Sequence, residues 1–322
     1  MTRVTVGVIR GGTSSEYPLS LKTGAVMMSA LPSDKYEVRD ILIDKSGLWH
    51  MRGIPSTPVR TLSQVDVVLN AVHGGVGEDG TLQRLLDRSG TPYAGSRAQA
   101  SGIALNKIRA REMLSQAGIR MPRAVSFSLQ NEMHTGDMSG LVFEQFGPPY
   151  VVKPPSEGAG AGIRIAKTIR ELPDAIADVL DAFGAALVEE YIRGEEVSVG
   201  VIENFRNENL YALPPALVAH ELQFLSPEAH LASLARHSVP SPFSYEEKLS
   251  MENIAKRAHA TLGLAHFSRA DLIRTPYGVY LLEVNAIPGL YPGSSFPQML
   301  EAVGSSVPEF LEHAIHLART HR

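Results

Sequence analysis

An apolar segment near the C-terminus that carries two polar side chains on one face places the strongest constraint on the fold. Residues 278–284 are apolar and β-branched, which predicts a buried strand. Glu283 and Asn285 are two residues apart, and residues at this spacing on a strand point to the same face. Because an unpaired buried charge is costly, a buried strand with this pattern indicates a site rather than plain core.

The segment before it, which contains Arg269 and Asp271, has the pattern of an antiparallel partner, with residues 275–278 as the turn between the two strands. A turn centred near Tyr277 would place Asp271 opposite Glu283. The same register would place Arg269 opposite Asn285. Hard oxygen ligands on one face suit Mg²⁺, and Mg²⁺ beside an arginine suits phosphate chemistry. The alternative is an edge strand with solvated charges, which the apolar flanks oppose.

Composition excludes several classes of function. The 322 residues contain no cysteine, which excludes disulfides, thiolate zinc sites and a cysteine nucleophile, and fits a reducing cytoplasm. The net charge of −4 gives no basic footprint for nucleic acid. No segment approaches the ~20 apolar residues of a membrane span, and the N-terminus is typical of a strand rather than a signal sequence. We therefore expect a cytoplasmic protein with neither nucleic acid nor membrane as a partner.

The order of segments predicts an α/β chain, α+β in its C-terminal half, with three domains. Residues 1–97 show βαβ units, which indicate a doubly wound parallel sheet with glycine turns at the carboxyl ends of two strands. Ser20 is expected near the cap of the first helix. Residues 98–187 form a smaller central domain with a glycine flap, and residues 188–322 form the third. The predicted strands are 4–9, 36–44, 65–72, 150–153, 163–166, 186–192, 197–201, 265–273 and 278–284, and the predicted helices are 19–31, 81–88, 106–116, 170–183, 245–262 and a surface helix at 308–320.

A glycine loop follows a lysine in the central region. Lys153 ends a short strand, residues 157–162 contain three glycines, and a strand resumes at 163. Glycines let backbone N–H groups approach an anion closely. The spacing is that of neither a Walker loop nor a dinucleotide fingerprint, because strand rather than helix follows. A flap over triphosphate and an idle flexible hairpin both fit this segment.

Three further groups of polar residues are weaker signals alone. The strand at 186–192 carries two acids, and an apolar slot there with the Glu196 carboxylate would suit a purine nucleoside, although a surface acidic turn fits as well. Glu16 follows the first strand, where a carboxylate could hold an ammonium group. His73 follows the third strand, and a lone histidine of this kind is more often structural than catalytic.

Taken together, these segments resemble the ATP-grasp superfamily, and specifically the D-alanine–D-alanine ligases, over nearly the whole chain. The segments that carry the resemblance are 11–16, 20–24, 73–83, 92–96, residue 107, 152–154 with 157–158, 189–196, 269–271, and 282–285 with 288–289. The resemblance implies ATP held between the central and C-terminal domains. It also implies two Mg²⁺ ions, with Mn²⁺ as a substitute, D-alanine as the amino-acid substrate, and a homodimer.

Family roles then fall on matching positions. The resemblance implies that Lys107 and Lys153 neutralise ATP phosphates under a flap formed by Glu157, Gly158, Ala159 and Gly160. It implies that Glu189, Glu190, Tyr191 and Ile192 read adenine and that Glu196 binds ribose. Asp271, Glu283 and Asn285 would hold the metals. Glu16 would bind the ammonium of the first amino acid, which His73 helps to orient, Arg269 and the Gly289 backbone would stabilise oxyanion charge, and Ser294 with Ser295 would meet the second carboxylate.

The resemblance implies two chemical steps. The carboxylate of the first amino acid attacks the γ-phosphate to give an acyl phosphate, which the amine of the second amino acid then attacks. Water must be excluded because it would hydrolyse that intermediate, and the flap and residues 220–245 are the expected lids.

The chain departs from the family pattern in its lids. Ala159 and Gly160 stand where the family carries two serines, and Pro227-Glu-Ala-His230-Leu231 stands where it carries Tyr-Glu-Ala-Lys-Tyr. Two of the three members of a serine–tyrosine–glutamate lock are therefore replaced together. We expect His230 to replace a phosphate-facing lysine, with contact stronger at low pH if it is not simply a solvent-exposed loop histidine. We also expect Tyr291 and the altered lids to change amino-acid preference.

The function predicted first is a ligase that makes D-alanyl-D-alanine for peptidoglycan. Three other functions compete with it. One is a ligase of the same mechanism that joins other amino acids, which ADP release with different amino acids would identify. Another is a non-catalytic nucleotide-binding relative, and the full set of lysines and metal-type side chains argues against it. A dinucleotide-dependent oxidoreductase is disfavoured because neither glycine turn has the required spacing.

Overall fold

A computed structural model describes residues 3–219, 232 and 234–320, and it contains three sheets. The first sheet has the order β4-β3-β2-β1-β5-β6. Strands β1, β2, β5 and β6 pair in parallel, and the hairpin β3–β4 extends the sheet in antiparallel fashion. The strands are β1 Val4–Gly11, β2 Tyr36–Ile43, β3 Trp49–Met51, β4 Ile54–Ser56, β5 Val67–Asn70 and β6 Tyr93–Ala94, and the helices among them are α1 Tyr17–Ala30, α2 Pro58–Leu62 and α3 Thr81–Ser89.

Both faces of this sheet are covered, as predicted for a doubly wound fold. One face packs with α1, and the other packs with α2 and α3. Ser20 is not a cap residue: its hydroxyl accepts from the N–H of Gly11 and donates to the carbonyl of Ala71, so it joins the ends of β1 and β5. Helix α1 instead begins after Glu16, which makes no side-chain capping bond.

The second sheet is antiparallel and has the order β7-β10-β8-β9. Its strands are β7 Ala124–Ser128, β8 Tyr150–Lys153, β9 Arg164–Ala166 and β10 Ala185–Glu190. Two helices precede and follow the β8–β9 pair in the chain and pack on one face, α6 Thr135–Gln145 and α7 Leu172–Phe183. Because β8 pairs with β9, the predicted strand–glycine loop–strand arrangement is confirmed.

The third sheet has the order β14-β13-β11-β15-β16, with β12 paired to β11. The remaining helices pack around it or return to the first sheet. The strands are β11 Glu195–Phe205, β12 Glu208–Ala212, β13 Ala216–Ala219, β14 Arg236–Ser238, β15 Phe267–Thr275 and β16 Gly278–Asn285, and the helices are α4 Ala98–Leu105, α5 Lys107–Gln116, α8 Tyr245–Thr261, α9 Ser295–Ala302 and α10 Val307–Thr320.

The division into three domains stays a prediction, and one observation bears on the boundary at 187/188. The position 187/188 falls inside β10, so a boundary between 190 and 195 would keep both sheets whole.

Helix α10 was predicted as a surface helix, but six of its side chains are buried, and its apolar face packs with α1 and the first sheet. None of the helices in residues 3–219 and 234–320 is long and apolar enough to cross a membrane.

The hairpin of β15 and β16 has the predicted register at its functional end. Asp271 faces Glu283, and Arg269 faces Asn285. The turn lies at the predicted residues 275–278, because Thr275 pairs with Gly278. A β-bulge between the 271 and 272 pairs restores the register, and such bulges often re-aim side chains next to functional sites.

Candidate functional site

One cavity of about 300 Å³ between the second and third sheets brings the predicted site residues together. The end of the first sheet closes it on one side. Its lining includes every predicted site residue that the structure describes: Glu16, His73, Lys107, Lys153, Glu157, Gly158, Ala159, Gly160, Glu189, Glu190, Tyr191, Ile192, Glu196, Arg269, Asp271, Glu283, Asn285, Gly289 and Ser294. His230 and Leu231 lie outside the described residues.

The β15–β16 face presents a dense polar network. The guanidinium of Arg269 donates from Nε and Nη2 to the two oxygens of Asp271, at 2.9 and 2.8 Å. Asp271 also accepts from the hydroxyl of Ser198 at 2.7 Å and from the amide nitrogen of Asn285 at 2.8 Å. Burial lowers the pKa of Arg269, but the Asp271 carboxylate outweighs it, so the pKa lies above its usual value. The Arg269 guanidinium is therefore charged.

Lysine 107 comes from helix α5 and meets the same face. Asn106 caps this helix by accepting from the N–H of Arg109, and Lys107 is the first helical residue. Its ammonium lies 3.1 Å from Glu283 and donates to the carbonyl of Glu157 at 2.7 Å. Burial raises the pKa of Glu283, but Lys107, Lys153 and Arg269 outweigh it and lower the value to about 2. Glu283 is therefore ionised at neutral pH.

A second buried network lies at the end of β8. Lys153 lies 2.6 Å from one carboxylate oxygen of Glu189, and the guanidinium of Arg111 lies 2.5 Å from the other. The side chains of Lys153 and Glu189 are 8% and 4% exposed. Because both are removed from water, Lys153 depends on Glu189 for charge compensation, whereas Glu189 has Arg111 as a second cation.

The glycine loop between β8 and β9 lies directly against Glu16. A Cβ atom placed on Gly158 would come 2.4 Å from a carboxylate oxygen of Glu16, so only glycine permits this approach without a shift. Gly74, from the turn after β5, approaches the same oxygen, and a Cβ there would come within 2.6 Å. Ala159 has a φ of +49°, a left-handed conformation that non-glycine residues seldom adopt. The loop therefore covers the Glu16 side of the cavity.

Glu16 is buried and lies among other acids. Burial raises its pKa to about 8, and Glu78 and Glu283 add to the rise, while Lys107 opposes it. Its backbone N–H donates to the hydroxyl of Ser14 at 3.2 Å. The carboxylate is thus positioned by the glycine turn but, among the described residues, lacks the close cation that each acid on the β15–β16 face has.

His73 joins the first sheet to this pocket through contacts of both ring nitrogens. Its Nε2 lies 2.7 Å from the hydroxyl of Thr23, and its Nδ1 lies 3.7 Å from Glu78. Its carbonyl accepts from the hydroxyl of Ser14 at 2.7 Å. The two glycine turns, after β1 and after β5, are therefore fixed to each other.

The loop after β16 carries Gly289, Tyr291 and Ser294. The hydroxyl of Ser294 lies 2.7 Å from the carbonyl of Gly289 and 2.8 Å from that of Tyr291, so the loop is closed on itself. The ring of Tyr291 covers Gly289, where an added Cβ would come within 2.5 Å of it. Burial raises the pKa of the Tyr291 phenol. Ser294 makes no capping bond to α9, so side-chain capping does not satisfy the first N–H groups of that helix.

The opposite end of the cavity is apolar. Val151, Ile165, Leu272 and Leu282 line it together with the chain segment 189–192. The sequence predicted that residues 187–192 would supply this apolar slot. Leu187 is instead buried and pairs with Lys153 across the sheet, so the slot comes mainly from β8, β9 and the β15–β16 hairpin.

Sequence reasoning assigned no role to several polar side chains of this site. Arg111 lies four residues after Lys107, and this spacing, which places two side chains together on one face of a helix, could have indicated its role. Ser198 lies two residues after Glu196 on β11, so the alternation of side chains along a strand could have placed both on the same face. No local signal marked His237, which lines the cavity from β14 and is 3.3 Å from Gln298.

Two antiparallel sheets that enclose lysines, a glycine flap, a carboxylate–amide face and an apolar slot define an ATP-grasp fold. Models of two parts of one protein family match the chain: "D-ala D-ala ligase N-terminus" at residues 51–96 and "D-ala D-ala ligase C-terminus" at residues 113–316. A D-alanine–D-alanine ligase of Desulforudis audaxviator is 32% identical over 98% of both chains. One from Carboxydothermus hydrogenoformans is 33% identical over 97% of both.

Solved structures agree in fold. The VanG D-Ala:D-Ser ligase from Enterococcus faecalis has a TM-score of 0.85 at 26% identity, covering 98% of this chain and 100% of that one. The D-alanine–D-alanine ligase from Bacillus anthracis in complex with ATP has a TM-score of 0.81 at 26% identity, covering 98% and 97%. The chain belongs to the D-alanine–D-alanine ligase family of ATP-dependent enzymes.

Proposed function

We propose that this protein is an ADP-forming ligase that joins two molecules of D-alanine for peptidoglycan precursors, in the cytoplasm and as a homodimer. The observation that carries the proposal is the convergence of phosphate-type lysines, the acid–amide face and an ammonium-type carboxylate in one cavity. A nucleotide-binding protein without this reaction would need no isolated buried carboxylate at the far end. The two ends of the cavity therefore match the two substrate types.

In the first step the first amino acid is held by its ammonium against Glu16, with His73 fixing the turn that shapes this pocket. One oxygen of its carboxylate attacks the γ-phosphorus of ATP, and the bond from that phosphorus to the bridging oxygen breaks to release ADP. Lys107 and Lys153 leave their acids to neutralise the phosphate oxygens. The product is an acyl phosphate, whose phosphate is a much better leaving group than an oxide.

Magnesium suits the oxygen-rich face formed by Asp271, Glu283 and Asn285, with Mn²⁺ as a substitute. Two carboxylates and an amide oxygen are the donors that hard divalent cations prefer. Among the described residues, no three histidine, cysteine or acidic side chains lie close enough together to bind a metal by themselves. Phosphate oxygens and water would therefore complete the coordination. When bound, Mg²⁺ would neutralise charge on the phosphates, while Lys107 and Arg269 release the acids they now hold.

In the second step the second amino acid enters beside the loop after β16. Its amine nitrogen attacks the carbonyl carbon of the acyl phosphate, inorganic phosphate leaves, and the nitrogen loses a proton. The guanidinium of Arg269 and the N–H of Gly289 would stabilise the oxyanion that forms on the carbonyl oxygen. The second carboxylate would lie at Ser294 and Ser295, where the start of α9 favours an anion.

The nucleotide base would occupy the apolar end of the cavity. Tyr191 and Ile192 would contact adenine, with the Glu189 and Glu190 backbone reading its edge. Glu196 would accept from the ribose hydroxyls. The loop at Gly158, Ala159 and Gly160 would cover the phosphates and exclude water from the acyl phosphate.

The test is ADP release from the purified protein with D-alanine, Mg²⁺ and ATP, with the dipeptide identified by mass spectrometry. We expect D-alanine-dependent ADP release and one dipeptide per ADP. Arg269→Met should abolish dipeptide formation while ADP binding persists. ADP release that no amino acid stimulates, or a dipeptide of other composition, would contradict the proposal.

A ligase that joins D-alanine to another amino acid is the second candidate. The observation in its favour is Tyr291, whose buried ring covers Gly289 in the pocket of the second amino acid. A D-Ala:D-Ser ligase is also among the similar structures. Competition between D-alanine, D-serine and D-lactate, with mass analysis of the products, separates the two candidates.

A further inference from the structure

Helix α5 presents two cations on one face, one helical turn apart. Lys107 and Arg111 are at i and i+4, which places their side chains next to each other along the helix. Lys107 reaches Glu283 of the third sheet, and Arg111 reaches Glu189 of the second. The helix therefore carries one positive charge to each wall of the cavity.

Glu189 lies between two cations that occupy different oxygens. Lys153 is 2.6 Å from Oε2, and Arg111 is 2.5 Å from Oε1. Lys153 is part of the cavity lining, whereas Arg111 lies on the other side of Glu189 and is not part of that lining. The two cations therefore have unequal access to a ligand.

Arg111 is held in place by a second contact. Its Nη1 donates to the carbonyl of Pro122, a residue that lines the cavity next to β7. Its Nε is buried without a hydrogen-bond partner among the described residues. The guanidinium therefore keeps its two acceptors although one N–H stays unpaired, which costs free energy. A planar guanidinium fixed in this way is a better permanent partner for a carboxylate than a flexible ammonium is.

We propose that Arg111 is a positioning residue that keeps Glu189 neutralised so that Lys153 can move to the nucleotide phosphates. This inference depends on the proposed function, because it assumes a phosphate ligand for Lys153. A buried carboxylate with one cation would hold that cation tightly, since separation leaves a buried charge uncompensated. With Arg111 present, Lys153 can leave Glu189 and the carboxylate remains paired.

The experiment compares Arg111→Met, which keeps the aliphatic length, with Arg111→Lys, which keeps the charge. Arg109→Met is the matched control, because Arg109 lies on the same helix and is exposed. The measurements are KM for ATP, KM for each amino acid, kcat, and the Kd of ADP by isothermal titration. Thermal unfolding of each variant without ligand shows whether it is folded.

We expect Arg111→Met to raise KM for ATP and Kd for ADP about tenfold, with both amino-acid KM values within twofold of wild type. Arg111→Lys should recover most of the nucleotide affinity, and Arg109→Met should match wild type. In a Glu189→Gln background the Arg111→Met change should cost less than twofold, because the carboxylate charge that Arg111 neutralises is gone.

An unchanged ADP affinity in folded Arg111→Met would overturn the inference, as would an equal loss in the Glu189→Gln background. If Arg111→Met does not fold, Arg111→Lys and its double variant with Glu189→Gln provide the same comparison. Loss of amino-acid turnover in the wild type would count against the proposed function alone, because the ADP titration does not depend on turnover.

Discussion

The nucleotide end and the amino-acid end of the cavity treat buried acids in opposite ways. At the nucleotide end Asp271, Glu283 and Glu189 each have a cation within 2.5–3.1 Å. At the amino-acid end Glu16 is surrounded by other acids, and its pKa is raised to about 8. At the nucleotide end each acid already has a cation, which a ligand can replace. At the amino-acid end Glu16 has no close cation among the described residues.

This difference fits the charges of the proposed substrates. Phosphate and metal arrive together, so a lysine can pass to phosphate as its acid passes to metal without leaving a buried charge unpaired. An amino acid brings its own ammonium, so a carboxylate that has no cation beforehand gains most from binding it. The charges at each end of the cavity therefore complement the ligand that each end is proposed to bind.

The largest effect should follow from Asp271→Asn at the nucleotide end. It removes the charge that holds Arg269 and one proposed metal ligand, so we expect kcat to fall by roughly 10³. KM for the first amino acid should change little, because Glu16 is untouched. Steady-state ADP release at saturating substrates measures the loss.

Asp178→Asn is the control for that change, because Asp178 is exposed on α7 and pairs only with exposed Arg164 among described residues. It should retain wild-type kcat. A kcat for Asp271→Asn within tenfold of wild type would show that this face is not the catalytic end.

Glu16→Gln should break the amino-acid end selectively. We expect KM for the first amino acid to rise roughly 100-fold with KM for ATP nearly unchanged, because the ammonium loses the carboxylate proposed to bind it. In the wild type that KM should fall about tenfold per pH unit as the pH rises toward about 8, since the carboxylate must lose its proton to bind the ammonium.

The Gln variant removes this titration, so its KM should be flat over the same range. Measurement of both enzymes from pH 6 to 9 gives the comparison. Parallel slopes in the two proteins would assign the pH dependence to another group.

The same carboxylate should make the ligand-free protein less stable as the pH rises. Its pKa is higher in the folded state than the usual 4.5, so the stability it contributes is present below about pH 4.5 and is lost as the pH rises through about 8. Relative to the wild type, Glu16→Gln should therefore gain about 4 kcal/mol in free energy of unfolding between pH 5 and 9.

Urea unfolding without ligands measures this difference. Glu283 has its pKa lowered to about 2, so its own contribution is lost only as the pH falls below about 4.5, outside this range. A constant difference between the two proteins from pH 5 to 9 would mean that Glu16 does not titrate there.

Local patterns predicted much of the fold and the residues of the cavity. Alternation along β15 and β16 was enough to place Asp271 opposite Glu283, because side-chain direction on a strand has a fixed period. The bulge that preserves this register had no sequence signal. The predicted pairing and the predicted turn at residues 275–278 were both right, and only the bulge between them was missed.

Longer-range packing could not be read from the sequence in the same way. An amphipathic pattern shows that α10 has an apolar face, but not that this face returns to the first sheet some 240 residues earlier in the chain. Arg111 and Ser198 acquire their roles only from the partners that the fold brings to them, Glu189 and Asp271. The sequence therefore predicted the acids of the site better than their partners.

The smallest expected effect tests the contact between the two ends. Gly158→Ala places a methyl group 2.4 Å from the Glu16 carboxylate, and because that group is the end of a flexible side chain, we expect it to shift rather than the fold to fail. KM for the first amino acid should rise about tenfold with KM for ATP within twofold, a cost of about 1.4 kcal/mol. Gly136→Ala on α6 has open space around it and should behave as wild type. If Gly158→Ala instead raised only KM for ATP, the loop would act on the phosphates without touching the amino-acid pocket, and the separation between the two ends would be sharper than the structure indicates.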